Sequence, residues 1–292
     1  MFLIFRRKDK LKERLSFLRG EKVTLSLKIG SIIVFILLFV GIFGPYIAPY
    51  NAVEMHVEHI KEAASETFLL GTDRFGRDVL SRIIVGTRTT LIIALASTSL
   101  ALTMGLIVGI FSAYYGKLLD NILMRVNDVF ISFPGLIFAM LVIGILGPGF
   151  LSGIIAIASI FAPGIARVAR SATLNIVGLE YIDAARIRGE SALYIVFCEI
   201  LPNIYPTIIV EGCIRFSRAI LLSASLSYIG LGPPPPNPDW GLMVSEERGY
   251  MLQNPWPVFG PCIAISAAVI GANLLGDGLR NIIVAKGSTR KL

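Results

Sequence analysis

Ionisable and ligand-type side chains are scarce in this chain, and those at regular spacing form four groups. Glu211, Arg215 and Arg218 lie at i, i+4 and i+7 inside a long apolar run, so one helix face would carry all three. Asp73, Arg77, Asp78 and Arg82 surround Gly71, Thr72 and Gly76, a pattern that predicts a tight turn and ion pairs along a short helix. Tyr181, Ala184, Ala185 and Arg188 fall at helical spacing beside Asp183, and the Ala pair is small enough to let another surface come close. His56 and His59 could touch a metal at i, i+3, but two histidines alone rarely make a site.

None of these groups is built for catalysis. There is no Ser/His/Asp set, no H-E-x-x-H and no G-x-x-x-x-G-K-[ST] loop to cradle ATP phosphates. The expectation is a chain that is no enzyme and binds no cofactor or metal, borrowing its energy from elsewhere. The cysteines Cys198, Cys213 and Cys262 stand far apart, without C-x-x-C spacing, and imply neither a disulfide framework nor a metal centre.

The surroundings of these residues are mostly lipid-like. Of 292 residues, 54% are hydrophobic and only 16% charged, with a mean hydropathy of +0.73. Soluble chains carry about 25% charged residues, so much of this one has the bilayer as its solvent. The net charge of +7 sits almost wholly in residues 1–28, which carry +6. That is a basic arm beside a membrane span, in which Leu11, Leu15 and Leu18 would share a face toward lipid, and it predicts no nucleic-acid partner because neither stacking aromatics nor a groove-reading motif accompanies it.

Charge-free runs then place the spans. Residues 29–49 make the first, followed by an acidic and therefore outward-facing loop. A short helix leads into a second span over 90–114, whose Gly105 and Gly109 would admit a close neighbour. Residues 115–128 read as a short loop. The uncharged run 129–166, about 57 Å long as one helix, must divide at Gly147-Pro148-Gly149 into spans three and four. Span five covers about 203–225 and span six about 257–275, with a basic tail beyond. Between them, the four prolines 233–236, Asp239, Trp240, Glu246 and Glu247 read as a long acidic outer loop suited to receiving another protein. The fold class expected is an all-α integral membrane protein of six transmembrane helices with N- and C-termini cytoplasmic. Its divisions are 1–28, a cytoplasmic arm; 29–88, the first span with an outer loop and elbow; 89–285, a five-helix core with an inner loop at 178–202; and 286–292, a cytoplasmic tail.

In that inner loop Gly189 is expected to end a first short helix with a left-handed cap, and Ser191 to cap a second. Leu193, Val196, Phe197 and Ile200 would form the second helix's apolar stripe, and Pro202 would stop it. Asp183-Ala184-Ala185, then Gly189, then Leu201-Pro202 resemble the EAA loop of permease subunits in binding-protein-dependent ABC importers. Asp183 stands where Glu is usual, and Glu199 where Ile is usual. Gly71-Thr72-Asp73 with Gly76-Arg77-Asp78, and the run from Leu226 through Gly232 to Trp240-Gly241, are similar to segments of the dipeptide, oligopeptide and nickel branch of that family.

The resemblance covers about residues 29–285. It implies the type I importer permease fold in the plasma or inner membrane and a second homologous permease subunit. It also implies one or two cytosolic ATPases that hold ATP and Mg, and an extracytoplasmic substrate-binding protein. Residues 183–202 would then be the coupling element, and short peptides the commonest cargo, with nickel chelates, haem, glutathione and oligosaccharides open. From the residues alone, Glu211, Arg215 and Arg218 either line the translocation pathway or form a bracing pair at a subunit interface. The competing function is a self-sufficient channel or ion-coupled carrier. Its driving ion would need free membrane carboxylates, and Glu211 is the one available in spans two to six.

Overall fold

The computed structural model describes residues 24–289, with side chains as far as residue 283. Most of the basic arm, including Leu11, Leu15 and Leu18, and the last residues of the tail lie outside the described residues. Helix α1 spans Leu25–Ile47. After a folded loop, α2 runs over Val79–Tyr115. Then follow α3 (Lys117–Ser132), α4 (Gly135–Leu146), α5 (Phe150–Val177) and α6 (Glu180–Ile187). The chain closes with α7 (Leu201–Tyr228), α8 (Trp240–Glu247) and α9 (Trp256–Thr289). Five helices are long and apolar enough to cross a membrane singly, and α3 with α4, bent by 95° at their break, make a sixth if the pair counts as one span.

Several boundaries differ from those expected, each for a local reason. The second span begins at Val79 rather than near residue 90 because Asp78 caps it directly, its Oδ2 accepting the Ser81 N–H at 2.8 Å. The separate short helix before it does not form, and residue 88 falls inside α2. Residues 115–128 are mostly helix rather than loop: Gly116, at φ +59°, ends α2 and α3 starts at once. The third span is not straight, since Phe133 is held extended ahead of Pro134 and breaks the helix there. The last helix continues through residue 289 instead of giving way to a tail at 286.

The centre of the molecule is the seam between α2 and α5. A methyl group at Gly105 would stand 2.6 Å from Ile165 Cγ2, and one at Gly109 2.8 Å from Ala169 Cβ, so the two glycines let these backbones meet. Ile93, Ala94, Ala101, Ile157, Ile165 and Ile220 fill the core around that seam. By contrast α1 buries only Gly30, Gly41 and Gly44, while Phe35 is 70% exposed. It touches α9 through Gly30, where a methyl would meet Leu274 at 2.8 Å, and α2 through Gly41 and Gly44, where a methyl would meet Leu91 at 3.2 Å and Ile84 at 3.0 Å, while side chains such as Phe35 face outward. Adding a methyl at Gly109 should destabilise the chain by about 1–3 kcal/mol. Gly144→Ala, with nothing within 4 Å, should cost nothing measurable. Thermal melts in detergent compare the two, and equal melting would contradict this packing.

Candidate functional site

The inner loop is built as a knob with an apolar underside. In α6, Ile182 and Ala185 are fully buried, while Asp183, Ala184, Arg188 and Ile187, the last 87% exposed, point away from the chain. The Ala pair therefore straddles the two faces: Ala185 packs inward and Ala184 is presented. Gly189 ends α6 at φ +79° as expected, its N–H reaching the Arg186 carbonyl at 3.0 Å while the Glu190 N–H reaches that of Ala185 at 3.2 Å. Ser191 caps the next turn, its Oγ accepting the Tyr194 N–H at 3.2 Å. Arg186 holds Asp183 at 3.3 Å, a surface pair of little energetic weight.

Pro202 does not stop the second helix. Residues Ala192–Tyr228 form one continuous helix, and Ile195–Ile200 within it are π-helical. The Leu201 N–H turns back to the Val196 carbonyl, five residues away. That wider turn relieves the clash a proline ring makes in an α-helix. The wider turn also changes which residues face inward. Ile195, Val196 and Ile200 are buried against Ile182 and Ala185, whereas Leu193 and Phe197, expected on the apolar stripe, are 59% and 58% exposed. Tyr181 bridges the two halves, its hydroxyl accepting from Asn203 Nδ2 at 3.3 Å. Burial, then the nearby Glu199, push its phenol up, so it stays neutral.

On α7 the structure brings together two of the three expected charges. Arg215 donates from Nε and Nη2 to Glu211 Oε1, both at 2.6 Å, and its guanidinium lies over Phe161 and against Gly164 of α5. Arg218 is exposed and has no ion pair among the described residues. Sequence reading missed two further pairs in the same half of the spans. Arg170 of α5 grips Asp120 of α3 through both its oxygens, at 2.6 and 2.5 Å, and Arg167 meets Asp128 at 2.6 Å. All four charges were visible, but a stretch read as a loop gives no register for pairing them with a helix.

At the other end of the spans, the residues expected in the outer motif form a buried fastening. Gly71 and Gly76 take φ +73° and +75°, and Thr72 pairs with Asp78 as an isolated bridge. Asp73 accepts the N–H groups of Phe75 and Arg77 at 2.9 Å each, and Arg77 Nε at 2.6 Å. Arg77 and Arg82 also reach Glu246, at 3.0 and 3.5 Å, and the Arg74 N–H donates to Glu247 at 3.3 Å. Burial pushes the Glu247 carboxyl up.

Glu246 and Glu247 thus belong to an internal cluster, not to an acidic surface offered to another protein. Trp240 is wholly buried beside Gly86, its Nε1 donating to the Ile83 carbonyl at 3.0 Å, and Asp239 caps α8 through the Leu242 N–H. His59 pairs with Glu62 at 2.5 Å, His56 packs between Tyr50 and Phe68, and no group of three or more metal ligands exists among the described residues. Arg77→Met would remove the nearest cation from two buried carboxylates, leaving Arg82 3.5 Å from each, and should cost about 3–5 kcal/mol. A detergent melt reads this, and a loss below about 1 kcal/mol, the level of a surface pair, would contradict the fastening.

Comparison with known proteins shows the family of the chain. Residues 101–287 match the family model of the binding-protein-dependent transport system inner membrane component. The di/tripeptide transport system permease protein of Pseudomonas aeruginosa is 35% identical over 263 residues, 88% of this chain and 87% of its own. The dipeptide transport system permease protein of Haemophilus influenzae is 36% identical over 264 residues, 88% of this chain and 90% of its own. The glutathione transport system permease protein of Pectobacterium atrosepticum is 36% identical over 258 residues, 88% and 87% of the two chains. The fold is similar to that of a chain of the inward-facing MetNI methionine ABC transporter, with a TM-score of 0.56 and 22% identity over 69% of this chain and 96% of that one. With its five or six apolar spans, this chain belongs to the inner membrane components of binding-protein-dependent transport systems, as a multi-pass permease subunit of an ABC importer.

Proposed function

We propose that this chain forms half of a peptide-importing pathway, paired with a second, homologous permease subunit. Short peptides are its cargo, with nickel chelates and haem as alternatives. The observation that carries the cargo is the identity of 35–36% to permeases whose names specify di- and tripeptides, dipeptides and glutathione, itself a peptide. Its N- and C-termini face the cytosol, where the basic arm and tail favour the anionic leaflet. The knob at residues 178–202 then meets one or two ATPase subunits, which hold ATP and Mg. The outer loops face the binding protein, and the chain itself has no catalytic residue.

The geometry suits a mechanical role. Asp183, Ala184 and Ile187 are offered outward, while Ile182 and Ala185 key the knob onto Ile195, Val196 and Ile200 at the foot of α7. A displacement of α6 by a closing ATPase pair is carried into the helix that bears Glu211, Arg215 and Arg218, which we assign to the pathway wall. The spans then rock between inward-open and outward-open.

Asp183→Lys reverses a presented charge, and Gly189→Pro forbids the left-handed cap. Each should lower ATP-driven peptide uptake by about tenfold or more while leaving the chain inserted and ATP hydrolysis uncoupled from transport. Uptake and ATPase rates in proteoliposomes of the whole complex measure this. Unchanged uptake by both variants would reject the coupling role.

A further inference from the structure

Along the free face of α7, polar residues recur where lipid would demand apolar ones. Asn203, Thr207 and Arg218 are exposed, and Glu211 and Ser225 partly so, at steps of four, four, seven and seven residues on one side of the helix, with the apolar Ile214 and Leu221 between them. Arg215 reaches from this stripe to Gly164 of α5, and Arg167, Ser171 and Asn175 continue the exposed polar surface along α5. Asp128 of α3 borders it through its 2.6 Å pair with Arg167. Two of the cations on this wall are therefore cancelled, Arg167 by Asp128 and Arg215 by Glu211. Arg218 is not, and the wall retains one positive charge.

Its distance from the helix ends argues against a lipid headgroup as its partner. Arg218 lies 17 residues beyond Leu201 and ten short of Tyr228, about 26 Å and 15 Å along the helix. A guanidinium so far from either end is costly to leave in hydrocarbon, and it faces away from the chain's own core. It is a fork of donors matched to a carboxylate. Building on the peptide reading above, we propose that Arg218 receives the free C-terminal carboxylate of the cargo as it crosses, so that the pathway itself discriminates for a charged terminus. Glu211 is not that partner in this structure: its Oε1 pairs with Arg215, and it forms no ion pair with Arg218 among the described residues.

The test uses the complete complex with its own binding protein in proteoliposomes. It measures ATP-driven uptake of radiolabelled alanyl-alanine and of its C-terminal amide by wild type, Arg218→Gln and Arg218→Lys. The proposal expects the acid-to-amide uptake ratio to fall by about tenfold or more in Arg218→Gln and to be kept within about threefold by Arg218→Lys. If wild type carries only the acid, acid uptake alone is scored, with Lys against Gln.

An unchanged ratio in Arg218→Gln would overturn the proposal. So would a drop in the partner chains that co-purify with Arg218→Gln, which would mean that Arg218 pairs with an acidic residue of the second permease. Failure of the wild-type complex to take up any peptide with ATP is a separate outcome. It would reject the peptide reading, and this proposal with it.

Discussion

The packing of Ile182 and Ala185 onto Ile195, Val196 and Ile200 joins α6 to the foot of α7, and the coupling role proposed for α6 depends on it. It lies between a presented helix of eight residues and the foot of a long membrane helix, and all five side chains are essentially buried. Close-packed interiors transmit displacement because they cannot deform smoothly. The polar link between Tyr181 and Asn203 fixes the same junction in orientation. Without this contact α6 would be a tethered surface helix, and pushing on it would move nothing else.

The two ends of the bundle use charge differently. At the outer end, Asp73, Arg77, Arg82 and Glu246 sit at 10% side-chain exposure or less and satisfy one another, tying the loop ahead of α2 to α8. Such a cluster is costly to break, which suits a part that must hold its shape. Along the spans themselves, the Asp128–Arg167 pair is about half exposed, Glu211–Arg215 is partly so, and Arg218 is open. Weakly held, partly solvated charges suit the pathway wall proposed for them.

Local chemistry made parts of this legible from residue types. The left-handed position at Gly189, the cap at Ser191, the close approach at Gly105 and Gly109, and the tight turns at Gly71 and Gly76 all followed from what those residues permit within a few positions. What was hidden depended on register or on distance along the chain. Pro202 reads as a helix stop because proline normally is one, and nothing in residue types announces the π turn that accommodates it. Glu246 and Glu247 read as an acidic surface because their arginines lie about 170 residues earlier. The bend at Phe133-Pro134 lay inside an uncharged run that length divided once, at Gly147-Pro148-Gly149, with nothing to call for a second break.

The central claim is that α6 is the surface an ATPase grips, and a cross-link tests it most directly. Cys198, Cys213 and Cys262 would be replaced by Ser, a single cysteine placed at the exposed Ala184, and the native complex treated with a short bifunctional thiol reagent. The account predicts that the adduct contains an ATPase subunit, and that a cysteine at Gly249 in the outer region, where nothing lies within 4 Å, yields none with it. An Ala184→Cys chain that cross-links to the binding protein, or to no ATPase at all, would contradict it.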